Sequence, residues 1–274
     1  MFFWEQIYSR LIFQSGVGFV YRQLFMHPPP IAAGVKLDSQ TAIITGSNTG
    51  LGLEAARQLL QLDLTRLILA VRSEAKGNLA AEPLRNEFPH ARVEVWILDM
   101  EDPESISAFA TRCQALRRLD IAILNAGVQN KDCVISFKTG REQTFQVNYL
   151  STIMLAVLLL PILKAKGRLA GKPARLTVVT STTAYFADFD HEKAILPQFD
   201  ENRSLEEGAS TYVHAVVIAG RESHGGFLSE WGVRPFPVVM YSKRGEKLIK
   251  KVLSESRELL GAMNIPNALI QDIL

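Results

Sequence analysis

Cysteine is scarce in this chain. Two residues, Cys113 and Cys133, among 274 can build neither a disulfide framework nor a thiolate zinc site, and they point to a reducing compartment. A charge excess is missing as well: 30 Lys and Arg stand against 28 Asp and Glu, a net charge of +2. Without a basic surplus to neutralise phosphates, the chain does not read as a nucleic-acid binder. No metal site is expected, and no internal repeat is apparent. What is present is core-forming material, with 47% hydrophobic and 21% charged residues, which excludes a disordered chain. The length suits one α/β domain with extensions.

Long uninterrupted hydrophobic runs are also lacking. The stretch 149–163, YLSTIMLAVLLLPIL, falls short of the roughly 20 residues a bilayer needs. A helix buried on nearly all sides, or at a subunit interface, is expected there. At the N-terminus Phe2, Phe3, Trp4, Ile7, Tyr8, Leu11 and Ile12 recur at helical spacing. Glu5 and Arg10 interrupt the run, no basic n-region precedes it and no clean cleavage site follows, so a secretory signal is not expected. Two readings stay open: an amphipathic helix packed on the domain, or an anchor making peripheral contact with a membrane surface. His27-Pro28-Pro29-Pro30 then breaks any helix and forms a stiff connector. Residues 1–36 thus read as an N-terminal helical extension and 37–274 as the main domain.

From Leu37 onward short β-branched runs alternate with helical ones. Strands are expected at 41–45, 67–71, 93–98, 121–124 and 176–180, and helices at 51–62, 73–88, 103–116 and 144–163. This alternation predicts an α/β fold: a doubly wound parallel sheet of six or seven strands between two helical layers. The pattern degrades between about 184 and 237, where only 212–219 reads as a strand or short helix. A basic amphipathic helix is expected at 243–260, ended by Gly261, and 267–270 reads as the start of a further strand.

The sharpest motif is Thr45-Gly46-Ser47-Asn48-Thr49-Gly50-Leu51-Gly52, directly after the first expected strand and opening the first helix. Glycines there let the backbone turn tightly and approach a pyrophosphate, while the helix offers free N–H groups and the positive end of its dipole. Strand, loop and helix follow in the order that dinucleotide binding requires.

The spacing Gly-x-x-x-Gly-x-Gly resembles the short-chain dehydrogenase/reductase family, whose fold is the Rossmann fold, and other segments extend the likeness over about 39–183. Asn125-Ala126-Gly127 resembles the family's N-A-G segment after the fourth strand, and Asp99 stands where members place an aspartate near the adenine. Asn148 in Val147-Asn148-Tyr149 resembles the active-site asparagine, and Ser181 takes the catalytic serine's place. The Pro-Pro segment and general style resemble fungal members that tailor secondary metabolites. The resemblance implies cofactor contacts at Gly46, Asn48, Gly50, Leu51, Gly52, Asp99, Asn125 and Gly127. It also implies a cytoplasmic enzyme with a small-molecule substrate, and a homo-oligomer formed through the helices at 144–163 and after the active-site lysine.

The second strand ends Leu69-Ala70-Val71-Arg72-Ser73. An acid here would accept hydrogen bonds from a ribose 2′-OH. Arg72 cannot, but its guanidinium can pair with a 2′-phosphate, and Lys76 lies one helical turn further. NADP is therefore the expected cofactor.

In the family, hydride passes between nicotinamide and a carbonyl or alcohol. A tyrosine handles the hydroxyl proton, and a lysine four residues later lowers its pKa. A serine polarises the carbonyl, and an asparagine holds a relay water. Ser181 and Asn148 match their positions. The tyrosine–lysine pair departs: the only plausible segment is Val238-Val239-Met240-Tyr241-Ser242-Lys243, where Tyr241 and Lys243 are two apart. On one regular helix they point in different directions, so they converge only if Tyr241 precedes the helix on non-helical backbone. The 60-residue step from Ser181 to Tyr241 is longer than the family's usual spacing, and no Pro-Gly turn follows 267–270. Two readings follow. One is an oxidoreductase acting on a ketone or secondary alcohol of a bulky apolar metabolite. The other is a catalytically impaired dinucleotide-binding protein with an intact cofactor half.

Overall fold

The computed structural model describes residues 33–181, 205–229, 232–234 and 238–273, with Pro29, Ile31 and Phe236. The expected N-terminal helix and most of the proline connector lie outside the described residues. Two compact units are present: Ala33–Val179 with Glu255–Leu274, and the segment Thr180–Ser254.

The first unit is built on five short β-branched runs: β1 (Thr41–Thr45), β2 (Arg66–Val71), β3 (Arg92–Ile97), β4 (Ile121–Leu124) and β5 (Arg175–Val178). They pair as one parallel sheet in the order β3-β2-β1-β4-β5. β1 and β4 are buried throughout, as strands covered on both faces must be. Thr41 faces Arg66 of β2, while Ala42 faces Ile121 of β4. The chain order reverses at β1, which opens a crevice at the carboxyl ends of β1 and β4.

The crossovers are α1 (Gly50–Gln61), α2 (Glu74–Glu87), α3 (Pro103–Gln114) and a long helix α4 (Gln143–Ala170). Ser73 caps α2 by accepting from the Lys76 N–H, and Asp102 caps α3 by accepting from the Glu104 and Ser105 N–H groups. These local bonds satisfy amides that the first helical turn leaves orphaned. Helix α4 runs beyond the expected end at 163 to Ala170, so it is long and apolar enough to cross a membrane by length and composition. Most of its most apolar stretch is buried, and Met154, Leu155, Val157 and Leu159 belong to the core with Ile43, Phe109 and Ile270. Burial, not shortness, identifies it as a core helix.

Two expectations near the chain's end are corrected. The described residues form a five-stranded parallel sheet, not one of six or seven. Residues 267–270 are helical, within α7 (Asn267–Ile273). Pro266 accepts from the Ile270 N–H, and buried Ile265 and Ile270 join the core; spacing of this kind puts apolar groups on one helix face.

In the second unit, 205–218 is helical, comprising α5 (Leu205–Val213) and a π-helical turn (His214–Ile218). A two-stranded antiparallel ribbon follows, β6 (Phe227–Ser229) with β7 (Gly232–Arg234). Next come a 3₁₀ turn (Val238–Tyr241) and helix α6 (Lys243–Ala262), whose last residues, from Glu255, belong to the first unit.

Candidate functional site

The loop between β1 and α1 sits at the crevice. Gly46 and Gly50 have φ of +65° and +60°, a conformation that L side chains resist. A Cβ on Gly46 would lie 2.8 Å from the Ala126 Cα. Gly52 is held by close approach: a Cβ there would meet the Asn125 amide nitrogen at 2.6 Å. Gly50, by contrast, has open space beside it. Thr49 at the N-cap of α1 makes no side-chain cap bond, and the first turn, which includes Leu51, carries no acid. The first-turn N–H groups of α1 are thus left without the side-chain acceptors that serve α2 and α3, and with the dipole they suit an anion.

Asn125 braces this loop from β4. Its amide donates to the carbonyls of Thr45 (3.0 Å) and Gly46 (3.2 Å). The Thr45 hydroxyl accepts from the N–H groups of both Asn125 and Ala126 at 2.9 Å. Thr45 was not singled out from the sequence, because a threonine ending a strand looks like any β-branched strand residue. Two strands must be side by side before its hydroxyl has partners.

Asn148 lies in a π-helical segment of α4 (Gln146–Ser151), a local widening frequent at functional positions. The side chain is exposed and clamps a neighbouring backbone. It accepts from the Val128 N–H and donates to the Val128 carbonyl, both at 2.8 Å. Gly127 makes room for that clamp, since a Cβ there would come within 3.3 Å of the Asn148 oxygen. Ser151 ties the segment to the turn after β3 by donating to the Met100 carbonyl. Thr152 donates five residues back to Val147 at 3.0 Å.

On the other side of the crevice, exposed Arg72 follows β2 and lies 3.2 Å from the nearly buried Glu101. Gln143 donates to the same Glu101 oxygen at 2.6 Å. Asp99 is occupied by protein groups. It accepts from the Glu101 N–H (3.0 Å) and from Lys138 (2.8 Å), which also reaches Asp102 at 2.9 Å. The Lys138 hydrogen bonds to Asp99 and Asp102 raise its pKa, and the same lysine holds Asp102 below the usual carboxylate range. Glu101, Lys138 and Gln143 were not found from the sequence either, because their partners are 29 to 42 residues away. Asn48 and Lys76 line one open cleft of about 360 Å³ between α1 and α2.

The remaining expected residues belong to the second unit. Ser181 is exposed, three residues beyond the end of β5. Tyr241 ends the 3₁₀ turn, and Lys243 is the first residue of α6. The tyrosine therefore precedes the helix. Its hydroxyl accepts from the Phe236 N–H at 2.9 Å. Among the described residues no group of three or more His, Cys, Asp or Glu is placed to hold a metal.

Comparison with known proteins identifies the family. The short chain dehydrogenase family profile matches residues 40–188. The chain is 37% identical to the short chain dehydrogenase virL of Hypocrea virens over 325 positions, covering 92% of this chain and 95% of that one. Those aligned positions outnumber the chain's own 274 residues, so virL carries segments this chain lacks. Identity to the short chain dehydrogenase sol3 of Alternaria solani is 46% over 191 positions, 69% of this chain and 67% of that one. Among solved structures, a short-chain dehydrogenase from Sphingobium yanoikuyae in complex with NADPH aligns with a TM-score of 0.46 and 23% identity. It covers 64% of this chain and 62% of that one. The glycine loop, its asparagine brace and the family match together establish that this chain belongs to the short-chain dehydrogenase/reductase family, oxidoreductases that work with a nicotinamide dinucleotide.

Proposed function

We propose that the chain is an NADP-dependent oxidoreductase that reduces a ketone, or oxidises a secondary alcohol, of a bulky apolar metabolite in the cytoplasm. The observation that carries the cofactor choice is Arg72. It stands exposed just after β2, where an NAD site would present an acid, and a planar guanidinium matches a phosphate. Lys76 and Asn48, which share one cleft, add further donors. The relatives virL and sol3 are short chain dehydrogenases of fungi, in keeping with the resemblance to fungal members that tailor secondary metabolites.

A nicotinamide cofactor, when bound, would supply or accept the hydride. The chain's own residues have the other tasks. Main-chain amides at 46–52 would hold the pyrophosphate, with Asn125 keeping the loop in shape. Ser181 orients the carbonyl by hydrogen bonding, and Tyr241 gives or takes the hydroxyl proton. Lys243 is the basic partner of that tyrosine. Asn148, anchored on Val128, keeps a relay water in place.

A second reading has its own support. Tyr241 and Lys243 are two positions apart rather than four, and the Tyr241 hydroxyl already accepts from the Phe236 N–H. Under it the chain binds the dinucleotide without turning over. Stopped-flow or steady-state oxidation of NADPH with a panel of apolar ketones separates the two. Turnover abolished in Tyr241→Phe and Lys243→Ala upholds the enzyme with these residues. NADPH binding with no turnover across the panel upholds the binding protein.

A further inference from the structure

We propose that Glu101 is a specificity-determining residue, a fixed counter-charge behind Arg72 that limits how strongly this chain favours a 2′-phosphorylated cofactor. The proposal rests on the NADP reading and deepens it. Glu101 is nearly buried while Arg72 is largely exposed, and the two meet at 3.2 Å. The carboxylate is held from the protein side. Gln143 donates to the same oxygen at 2.6 Å, Asn130 in turn donates to Gln143 at 2.7 Å, and the Glu101 N–H is bonded to Asp99. Withdrawal of Glu101 from Arg72 would break this chain of bonds.

Charge accounting around the turn leads to the same place. Lys138 bridges Asp99 and Asp102 and leaves that cluster with one net negative charge, turned toward the lysine. Gln143 is neutral, so the formal charge facing Glu101 is that of Arg72. A guanidinium pinned to a carboxylate presents outward less than a full positive charge, and a 2′-phosphate approaching Arg72 feels attraction and repulsion together. A ribose 2′-OH carries no charge and is nearly indifferent to the difference. Glu101 therefore acts on the discrimination between the two cofactor types more than on dinucleotide binding in general.

The variant Glu101→Gln keeps an oxygen to accept from both Arg72 and Gln143 and removes the charge. Two fragments isolate the phosphate: 2′,5′-ADP and 5′-AMP, each titrated calorimetrically into the full chain. The expected result is a roughly 3- to 10-fold tighter Kd for 2′,5′-ADP, from a unit charge several ångströms away in a wet site. The Kd for 5′-AMP should stay within about twofold, and the 2′,5′-ADP affinity should depend more steeply on salt. Glu101→Ala removes the same charge and shifts the ratio in the same direction, which keeps the test alive if the glutamine variant folds poorly. An unchanged or reduced preference for 2′,5′-ADP in the folded variants, or an equal gain for both fragments, overturns the role of Glu101. A wild type that binds both fragments equally overturns the NADP reading itself, and this proposal with it.

Discussion

Replacing Gly46 by alanine tests the central geometric claim, that the turn after β1 is shaped by backbone rather than side chains. Two costs add at this position. The left-handed φ of +65° costs an alanine about 1–2 kcal/mol. The new Cβ would also lie 2.8 Å from the Ala126 Cα and 3.2 Å from its nitrogen. Those atoms are main chain, and both Ala126 and Asn125 are tied to Thr45, so β4 and the loop must part. Overpacking of this kind costs about 1–3 kcal/mol, for a total of roughly 2–5 kcal/mol. Gly50→Ala is the internal control. Its φ of +60° carries the same conformational cost, but nothing lies within 4 Å of the added Cβ. At about 2–4 °C per kcal/mol for a domain of this size, Gly46→Ala should melt about 4–20 °C below wild type, and Gly50→Ala only about 2–8 °C below. Thermal unfolding followed by circular dichroism measures both. Equal melting temperatures for the two variants would refute the claim that the N-A-G segment closes the back of the loop.

Two further predictions concern ionisable groups. In Lys138→Met the ion pairs to Asp99 and Asp102 are lost, and the stability deficit should depend on pH in a defined way. Lys138 holds Asp102 below its ordinary 3.8 and is itself raised above 10.5 by bonds to Asp99 and Asp102. A depressed carboxylate contributes stability above its unfolded pKa and loses it as pH falls through the folded value. A raised lysine contributes below its unfolded pKa and loses it as pH rises through the folded value. The melting gap between wild type and variant should be flat between about pH 5 and 9 and narrow progressively below about pH 4 and above about pH 10.5; a gap that does not narrow as the pH falls below 4 contradicts the ion pair. For the thiols, burial pushes the Cys113 pKa up to about 12, while Cys133 is exposed. Because the thiolate is the reactive form, a disulfide reagent at pH 8 should titrate one thiol in the native protein and two after denaturation. Two rapidly reacting native thiols would contradict the burial of Cys113.

Much of this molecule is legible along the chain because its decisive features are local. Helical and extended periodicities place the five parallel strands and four crossover helices within a few residues, except for the end of α4, which runs on from 163 to Ala170. Gly46, Gly50 and Gly52 mark the tight turn after β1 by composition alone, and the basic residue after β2 stands at a position defined by strand order. Tertiary structure decided what depends on partners distant in sequence. That Thr45 and Asn125 lock the loop requires β1 and β4 to be neighbours. That 149–163 belongs to a core helix follows from what covers it, and 267–270 became helical because Ile265 and Ile270 had a core to join. Glu101 acquired meaning only when the turn after β3 brought it against Arg72. Local patterns encode backbone geometry, whereas charge pairing and burial are properties of surfaces that exist only once the chain has folded.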